Sequence, residues 1–290
     1  MYTAGTHTML NICEIYASIM GESTYAGWPG VIVRLSGCPL RCAWCDTPYA
    51  RERGEDVSLG DIIQRVEKYA YRLVLLTGGE PLAQPGSRYL ASALAKMGYQ
   101  VIIESGGGVS IQGVDPRVCI VLDIKCPDSG MQDRQVWENL NWLKPEDEIK
   151  FVIASRRDYE WARSYLRKTG IAERHVVHFS PVEREEEAAG IAATVAGMSL
   201  AIEDAGPATA GMAPAIESEK PGDGPGVAAV QEKAASVAKR ATTDASERPR
   251  SRVLGIRRSE LAGWILEDRL PVRLNIQLHV CIWGRGRRGV

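Results

Sequence analysis

Six short apolar runs constrain this chain's fold more than any other feature. They read VIVRL (31–35), LVLLT (73–77), VIIE (101–104), IVLDI (120–124), IKFVI (149–153) and HVVHF (175–179). Near-continuous runs of this length, rich in β-branched residues, suit strands buried on both faces of a parallel sheet. Helical patterns lie between several of them. SLGDIIQRVEKYA opens on Ser58 as a side-chain cap, with Asp61 in the capping-box position and Ile62, Ile63, Val66 and Tyr69 along one face. SRYLASALAKMG and RDYEWARSYLRKTG end on Gly98 and Gly170, each fit to close a helix in left-handed backbone. Strands alternating with helices predict an α/β fold of βα units with about six parallel strands. The pattern suits a partial (β/α) barrel and a doubly wound sheet equally.

The chain has 290 residues and a formal net charge of −1. That length supplies one large α/β domain or two small ones. The charge balance gives no pull toward nucleic acid or an anionic membrane. No apolar run reaches the length of a bilayer span. The first residues, MYTAGTHTMLNICEIYASI, lack a basic start and a clean apolar stretch, so the expectation is no signal peptide and a cytoplasmic protein. Seven cysteines, an odd number in a long chain of this kind, argue against a disulfide framework and toward metal or redox chemistry.

Composition shifts after Pro181. From Glu183 to about Arg250 the chain is rich in Ala, Gly, Pro, Glu and Ser and poor in bulky apolar residues. Such a segment cannot bury enough surface to offset its ordering entropy. The expected organisation is a core over residues 1–182, a long disordered insertion over 183–252, and the rest of the core over 253–290. That last part carries a helical face (Leu261, Trp264, Ile265), a break at Pro271, a short strand and a basic tail.

The stretch GCPLRCAWCDTPY follows the first run. Cys38, Cys42 and Cys45 fall within eight residues in a C-x3-C-x2-C spacing. A structural zinc ion would need a fourth ligand, and none is near in sequence. An electron-transfer [4Fe–4S] cluster normally takes four cysteines. Three leave one iron without a protein ligand, and an open metal position is where chemistry takes place. The competing readings are a loop of free thiols and a non-enzymatic iron–sulfur or zinc module. Three further motifs end strands: TGGEP (77–81), ESGGG (104–108) and DIKCP (123–127). They bring Gly78, Gly79 and Glu80, then Glu104 and Ser105, then Asp123 and Lys125 to the sheet edge where α/β ligands gather. Cys13, Cys119, Cys126 and Cys281 read as small packed hydrophobes.

The cysteine triplet followed by TGGEP resembles the radical S-adenosylmethionine superfamily. The N-terminal EIYASIMGESTYAGWPGVIVRLSGCPLRCAWCDTPYA and the terminal PVRLNIQLHVCIWGRGRRGV narrow the likeness to the 7-carboxy-7-deazaguanine synthases, over residues 14 to about 181 and 257–290. The resemblance implies a homodimeric partial (β/α) barrel of radical SAM type. It implies a [4Fe–4S] cluster whose open iron chelates S-adenosylmethionine, with reductive cleavage giving a 5′-deoxyadenosyl radical. It also implies Mg2+ and an external electron donor of flavodoxin or ferredoxin type. The implied reaction contracts 6-carboxy-5,6,7,8-tetrahydropterin to 7-carboxy-7-deazaguanine with loss of ammonia, in queuosine-type biosynthesis. By position, Cys38, Cys42 and Cys45 match the cluster ligands and Thr47 the Mg2+ ligand. Gly78, Gly79, Glu80, Ser105, Asp123, Ile124 and Lys125 match the S-adenosylmethionine contacts. Ile19, Met20, Gly21, Glu22, Arg34, Thr77 and His279 match the pterin site. Arg34 offers a planar fork for the substrate carboxylate, and Glu22 can accept paired N–H donors from a 2-amino-pyrimidinone edge. Three positions depart from the family pattern: Met20 stands for glutamine, Ser23 for glycine, and ESGGG for E-T-N-G or E-T-Q-G. The 183–252 insertion also stands outside that pattern. A glycyl-radical-activating enzyme shares the triplet but not the S-I-x-G-E stretch.

Overall fold

The computed structural model of the chain describes residues 8–182, 255–284 and 288–289. Strand β1 (Met9–Ile19) pairs antiparallel with β2 (Pro29–Leu35) on one side and β3 (Glu55–Ser58) on the other. From β2 the sheet continues in parallel through β4 (Leu73–Gly78), β5 (Gln100–Ser105), β6 (Cys119–Ile124), β7 (Glu148–Ile153), β8 (Val177–Pro181) and the two-residue β9 (Arg273–Leu274). The order is β3-β1-β2-β4-β5-β6-β7-β8-β9. A doubly wound sheet reverses its strand order at a switch point. Here the parallel strands run on in one direction, as the staves of an open barrel do.

The six apolar runs all lie in this sheet, and the antiparallel edge is an addition to them. β1 escaped the pattern because its alternation is broken: the register shifts between Ile12 and Glu14. Leu10 and Ile12 pack into the core, whereas Glu14 and Tyr16 meet the side chain of Arg34.

Helices α1 (Leu59–Glu67) and α2 (Gly86–Lys96) bury Ile62, Val66, Leu90 and Leu94 against Val31, Val33, Val74, Leu76, Val101 and Ile103. Helix α3 (Arg156–Thr169) and α4 (Arg258–Asp268) extend this outer layer over Ile149, Phe151 and Phe179. The expected caps hold. Ser58 Oγ accepts from the Asp61 amide at 3.1 Å, a bond worth about 1 kcal/mol. Gly170 closes α3 at φ 62°. The expected face of α4 is also found, with Leu261 and Ile265 buried and Trp264 packed beside them. Asp268 at its end accepts from Tyr159 Oη at 2.7 Å and Arg163 Nη1 at 2.8 Å, fastening α4 to α3. The insertion assigned to 183–252 lies outside the described residues. Among the described residues no helix is long and apolar enough to cross a membrane.

The opposite face of the sheet is different in kind. Its lower half is an apolar floor of Met20, Ile32, Leu73, Leu75, Ile102, Cys119 and Val121. Its upper half is polar.

Candidate active site

Strand periodicity builds the site. Residues two apart share a face, so the floor residues Ile32, Leu75, Ile102 and Val121 place Arg34, Thr77, Glu104 and Asp123 above them on the same side. Lys150 of β7 pairs with Asp123 across one ladder and with His178 across the next. Each parallel strand from β2 to β8 thus carries a polar or charged residue in this row, near the carboxyl end in β2, β4, β5 and β6. A ligand lying there meets charge on every side.

The charges are arranged in pairs. Arg34 Nε donates to Glu14 Oε1 at 2.7 Å and Arg34 Nη2 to Tyr16 Oη at 3.0 Å. Its side chain is only 12% exposed, so it is a buried pair and not a surface one. Thr77 Oγ1 donates to Glu104 Oε2 at 3.2 Å. Lys150 Nζ donates to Glu22 Oε2 at 2.5 Å, and Lys125 Nζ to Asp123 Oδ2 at 2.7 Å. Asp123 Oδ1 is buried with no partner among the described residues, an acceptor left over for a ligand. Burial pushes the Glu104 carboxyl up to about 7, and the neighbouring Glu22 charge adds to this against Lys150, Arg34 and Thr77. Burial works against the Lys150 charge, but Glu22, Glu104 and Asp123 together hold the ammonium well above its ordinary value.

The cysteine loop hangs over the edge of this row. Leu35 O accepts from the Gly79 amide at 3.0 Å, and Gly37 O from the Glu80 amide at 2.8 Å. A side chain on Gly79 would overlap Gly37's carbonyl and come within 3.0 Å of Cys38 Cβ. The glycine pair of TGGEP therefore lets the end of β4 pass against the start of the cysteine loop. Glu80 is fully buried. It accepts from the Leu82 amide at 3.1 Å, Ser105 Oγ at 3.1 Å and the Gly106 amide at 2.8 Å. It ties β4 to β5, and burial raises its pKa despite those bonds. The ESGGG departure has a packing cause. A Cβ at Gly106 or Gly108 would lie 3.1 Å or 2.7 Å from a methyl of Leu40, which the cysteine loop buries between them.

Cys38, Cys42 and Cys45 are partly exposed on this loop. Burial raises the thiol pKa of Cys38 and of Cys42, and Lys125 opposes it at both. Among the described residues no three His, Cys, Asp or Glu side chains are gathered as ligands of a metal ion. A mononuclear zinc site needs such convergence. A cuboidal cluster binds its cysteines at separate irons and does not. Three thiols with a cation beside them fit the iron–sulfur group.

The far wall is α5 (Leu278–Trp283), which no sequence pattern announced. The Leu278 amide donates to Gly21 O at 3.1 Å, and Gln277 Nε2 to Asp46 Oδ2 at 3.0 Å. His279 packs directly on Gly21, where a Cβ would overlap Nδ1 and lie 3.1 Å from Cε1. Burial lowers the His279 pKa, with Arg34 and Lys150 adding to this against Glu22 and Asp46, so the ring is neutral at neutral pH. Thr47 Oγ1 lies 3.3 Å from Asp46 Oδ1 on the same side.

Arg34, Thr77, Glu22, Gly21 and His279 thus stand close together above the floor. Ile124 and Met20 turn their side chains away: Ile124 is in the outer core and Met20 in the floor. Met20 also uses its own amide and carbonyl within the turn, at 2.8 and 2.9 Å to Trp28 and Gly27. Ser23 occupies the left-handed region at φ 68°, which accounts for glycine being usual there. Its Oγ accepts from the Tyr25 amide at 3.2 Å. Lys150, Asp46 and the pair Glu148–His178 (2.6 Å) were not singled out from the sequence. The available signal was a charged residue inside an apolar run, as in IKFVI.

An open parallel barrel with three cysteines at the carboxyl edge of its first parallel strand defines a radical SAM domain. The Radical SAM superfamily model matches residues 32–122. The 7-carboxy-7-deazaguanine synthase of Chlorobaculum tepidum is 34% identical over 98% of this chain and 99% of its own. That of Koribacter versatilis is 35% identical over 97% of this chain and all of its own. The chain belongs to the 7-carboxy-7-deazaguanine synthase family of radical SAM enzymes. QueE from Escherichia coli, a solved structure, overlays with a TM-score of 0.47 at 22% identity, covering 67% of this chain and 92% of that one.

Proposed function

We propose that this chain converts 6-carboxy-5,6,7,8-tetrahydropterin to 7-carboxy-7-deazaguanine and ammonia. The observation that carries the reading is the cluster of Glu22, Arg34, Thr77, Glu104 and His279 beside the cysteine loop. Glu22 is the acceptor for the 2-amino-pyrimidinone edge. Arg34 is the cation for the substrate carboxylate, through Nη1, since Nε and one N–H of Nη2 are engaged by Glu14 and Tyr16. Glu104, titrating near neutrality, is assigned the exchange of a proton with the departing nitrogen. The neutral His279 closes the site against water. Cys38, Cys42 and Cys45 would hold the cluster, and the strand-end groups Ser105, Asp123 and Lys125 the S-adenosylmethionine beside it. Together those groups supply hydrogen-atom abstraction from carbon. Thr47 and its neighbour Asp46 offer oxygen ligands suited to Mg2+. The working form is a homodimer reduced by a small external electron-transfer protein.

The test is anaerobic turnover by cluster-reconstituted protein with the carboxypterin, S-adenosylmethionine, Mg2+ and a reductant. The expected products are 7-carboxy-7-deazaguanine and one equivalent of ammonia. Protein that cleaves S-adenosylmethionine and leaves the pterin unchanged would overturn the assignment.

A further inference from the structure

We propose that Lys150 is a positioning residue of the pterin site, holding the Glu22 carboxylate in place for the substrate's amino-pyrimidinone edge. The inference rests on the functional reading above. Lys150 sits in the middle of β7 between the core residues Ile149 and Phe151, and is 9% exposed. A lysine in that position needs a reason, because taking an ammonium out of water is costly. Three neighbouring carboxylates already have partners, and Glu104 takes the Thr77 hydroxyl. Asp123 has Lys125, Glu14 has Arg34, and Glu148 has His178 and Thr24. Glu22 has Lys150, and among the described residues no other side chain donates to it.

The bland alternative is that Lys150 merely fastens the turn after β1. That turn is fastened without it. Thr24 donates to Glu148 through its amide at 3.1 Å and its hydroxyl at 2.5 Å. Met20 and Gly27 close the turn backbone to backbone, and Gly21 O takes the Leu278 amide. The backbone around Glu22 is therefore fixed by four bonds, while its carboxylate is fixed by one. With Lys150 on Oε2, Oε1 of Glu22 takes no hydrogen bond from another side chain among the described residues. Lys150 also carries its charge close to both Glu22 and Glu104, two carboxyls that repel each other. Without that cation the pair would take up a proton, and a protonated carboxyl presents a donor to the substrate's own donors.

The test is a double-mutant cycle on cluster-loaded protein with S-adenosylmethionine, reading pterin Kd by calorimetry alongside kcat and substrate-free S-adenosylmethionine cleavage. Lys150→Met is expected to weaken pterin binding roughly 30-fold or more, with cleavage and cluster absorbance unchanged. Lys150→Arg, which keeps the charge, is expected to recover most of that loss. In the Glu22→Gln background the Lys150→Met loss is expected to vanish, since the two residues act as a unit. The double variant also removes the unpaired charge, so it folds even if Lys150→Met alone does not. Unchanged pterin affinity in Lys150→Met, or losses that add in the double variant, would overturn the proposal alone. Wild-type protein that cleaves S-adenosylmethionine but binds no pterin would overturn the functional reading and this inference with it.

Discussion

Gly21→Ala puts a methyl group where His279 now lies. The added Cβ would overlap Nδ1 and stand 3.1 Å and 3.2 Å from Cε1 and Cγ. Unbonded carbon and nitrogen settle near 3.5 Å, so the ring must withdraw by about 1 Å or more. Rotation about its side-chain bonds achieves this for on the order of 1 kcal/mol. The backbone bond from Leu278 to Gly21 and the Gln277–Asp46 bond need not break. Melting temperature should therefore fall by only about 2–4 °C. Turnover should suffer far more, because a 1 Å misplacement in an active site costs on the order of 100-fold. The assay compares kcat/KM for the carboxypterin with substrate-free S-adenosylmethionine cleavage, which should be unaffected. His279→Ala supplies the control: in that background Gly21→Ala should cost nothing further. Wild-type kcat/KM in Gly21→Ala would refute the placement of His279 at the substrate, and a further loss in the double variant would refute the steric argument.

Cys42→Ala should abolish the cluster absorbance and reduce iron from about four per chain, because two thiolates do not hold a cube; iron analysis and the visible spectrum check this. Ser23→Gly should raise the melting temperature by about 1–3 °C with turnover kept, since glycine relieves the φ of 68° while the hydroxyl bond to Tyr25 is given up. Glu104→Gln should stabilise the fold at pH 8 by about 2 kcal/mol and do little at pH 5. The sign follows from the raised pKa of about 7 against an ordinary 4.5: the folded carboxyl keeps its proton between those values while the unfolded one loses it, so stability drains away as pH rises through that window. Denaturant titrations at the two pH values measure the difference.

The sheet was legible because burial on both faces leaves a strong mark in sequence. VIVRL and IVLDI alternate between outer core and floor, and both layers are apolar there. The polar row was harder to see, since it takes one residue from each of several strands. Arg34, Thr77 and Glu104 are neighbours only once the β2–β4–β5 ladders bring them together. Lys150 looked like an interruption in a core strand, and its meaning comes from Glu22, 128 residues earlier. The sequence places Gly78 and Gly79 at the sheet edge where ligands gather, and the glycines of ESGGG depart from the family pattern. Their close contacts are with the chain's own Gly37, Leu35 and Leu40, so part of what a motif encodes is support for the cysteine loop. α5 stayed hidden because a six-residue helix gives too few turns to show a period.

The segment over 183–254 enters and leaves the fold at a single point. The Ile256 amide donates to Val182 O at 2.9 Å, so the two ends meet in one backbone bond beside β8. A short bridge can span that gap without moving β8, α4 or the polar row. Replacing residues 185–247 with a linker of about ten glycines and serines shortens the loop between Val182 and Ile256 roughly fourfold. The loop-closure entropy then favours the shortened protein by about 1 kcal/mol. Every bond given above for the polar row and the cysteine loop lies within 8–182 and 255–284. The shortened protein should fold with an equal or higher melting temperature, load its cluster, and turn over the pterin within about threefold of the full chain, a factor worth under 1 kcal/mol. If the shortened protein loads its cluster and cleaves S-adenosylmethionine but fails on the pterin, the segment takes part in substrate capture. The geometric argument that its ends alone matter would then be wrong.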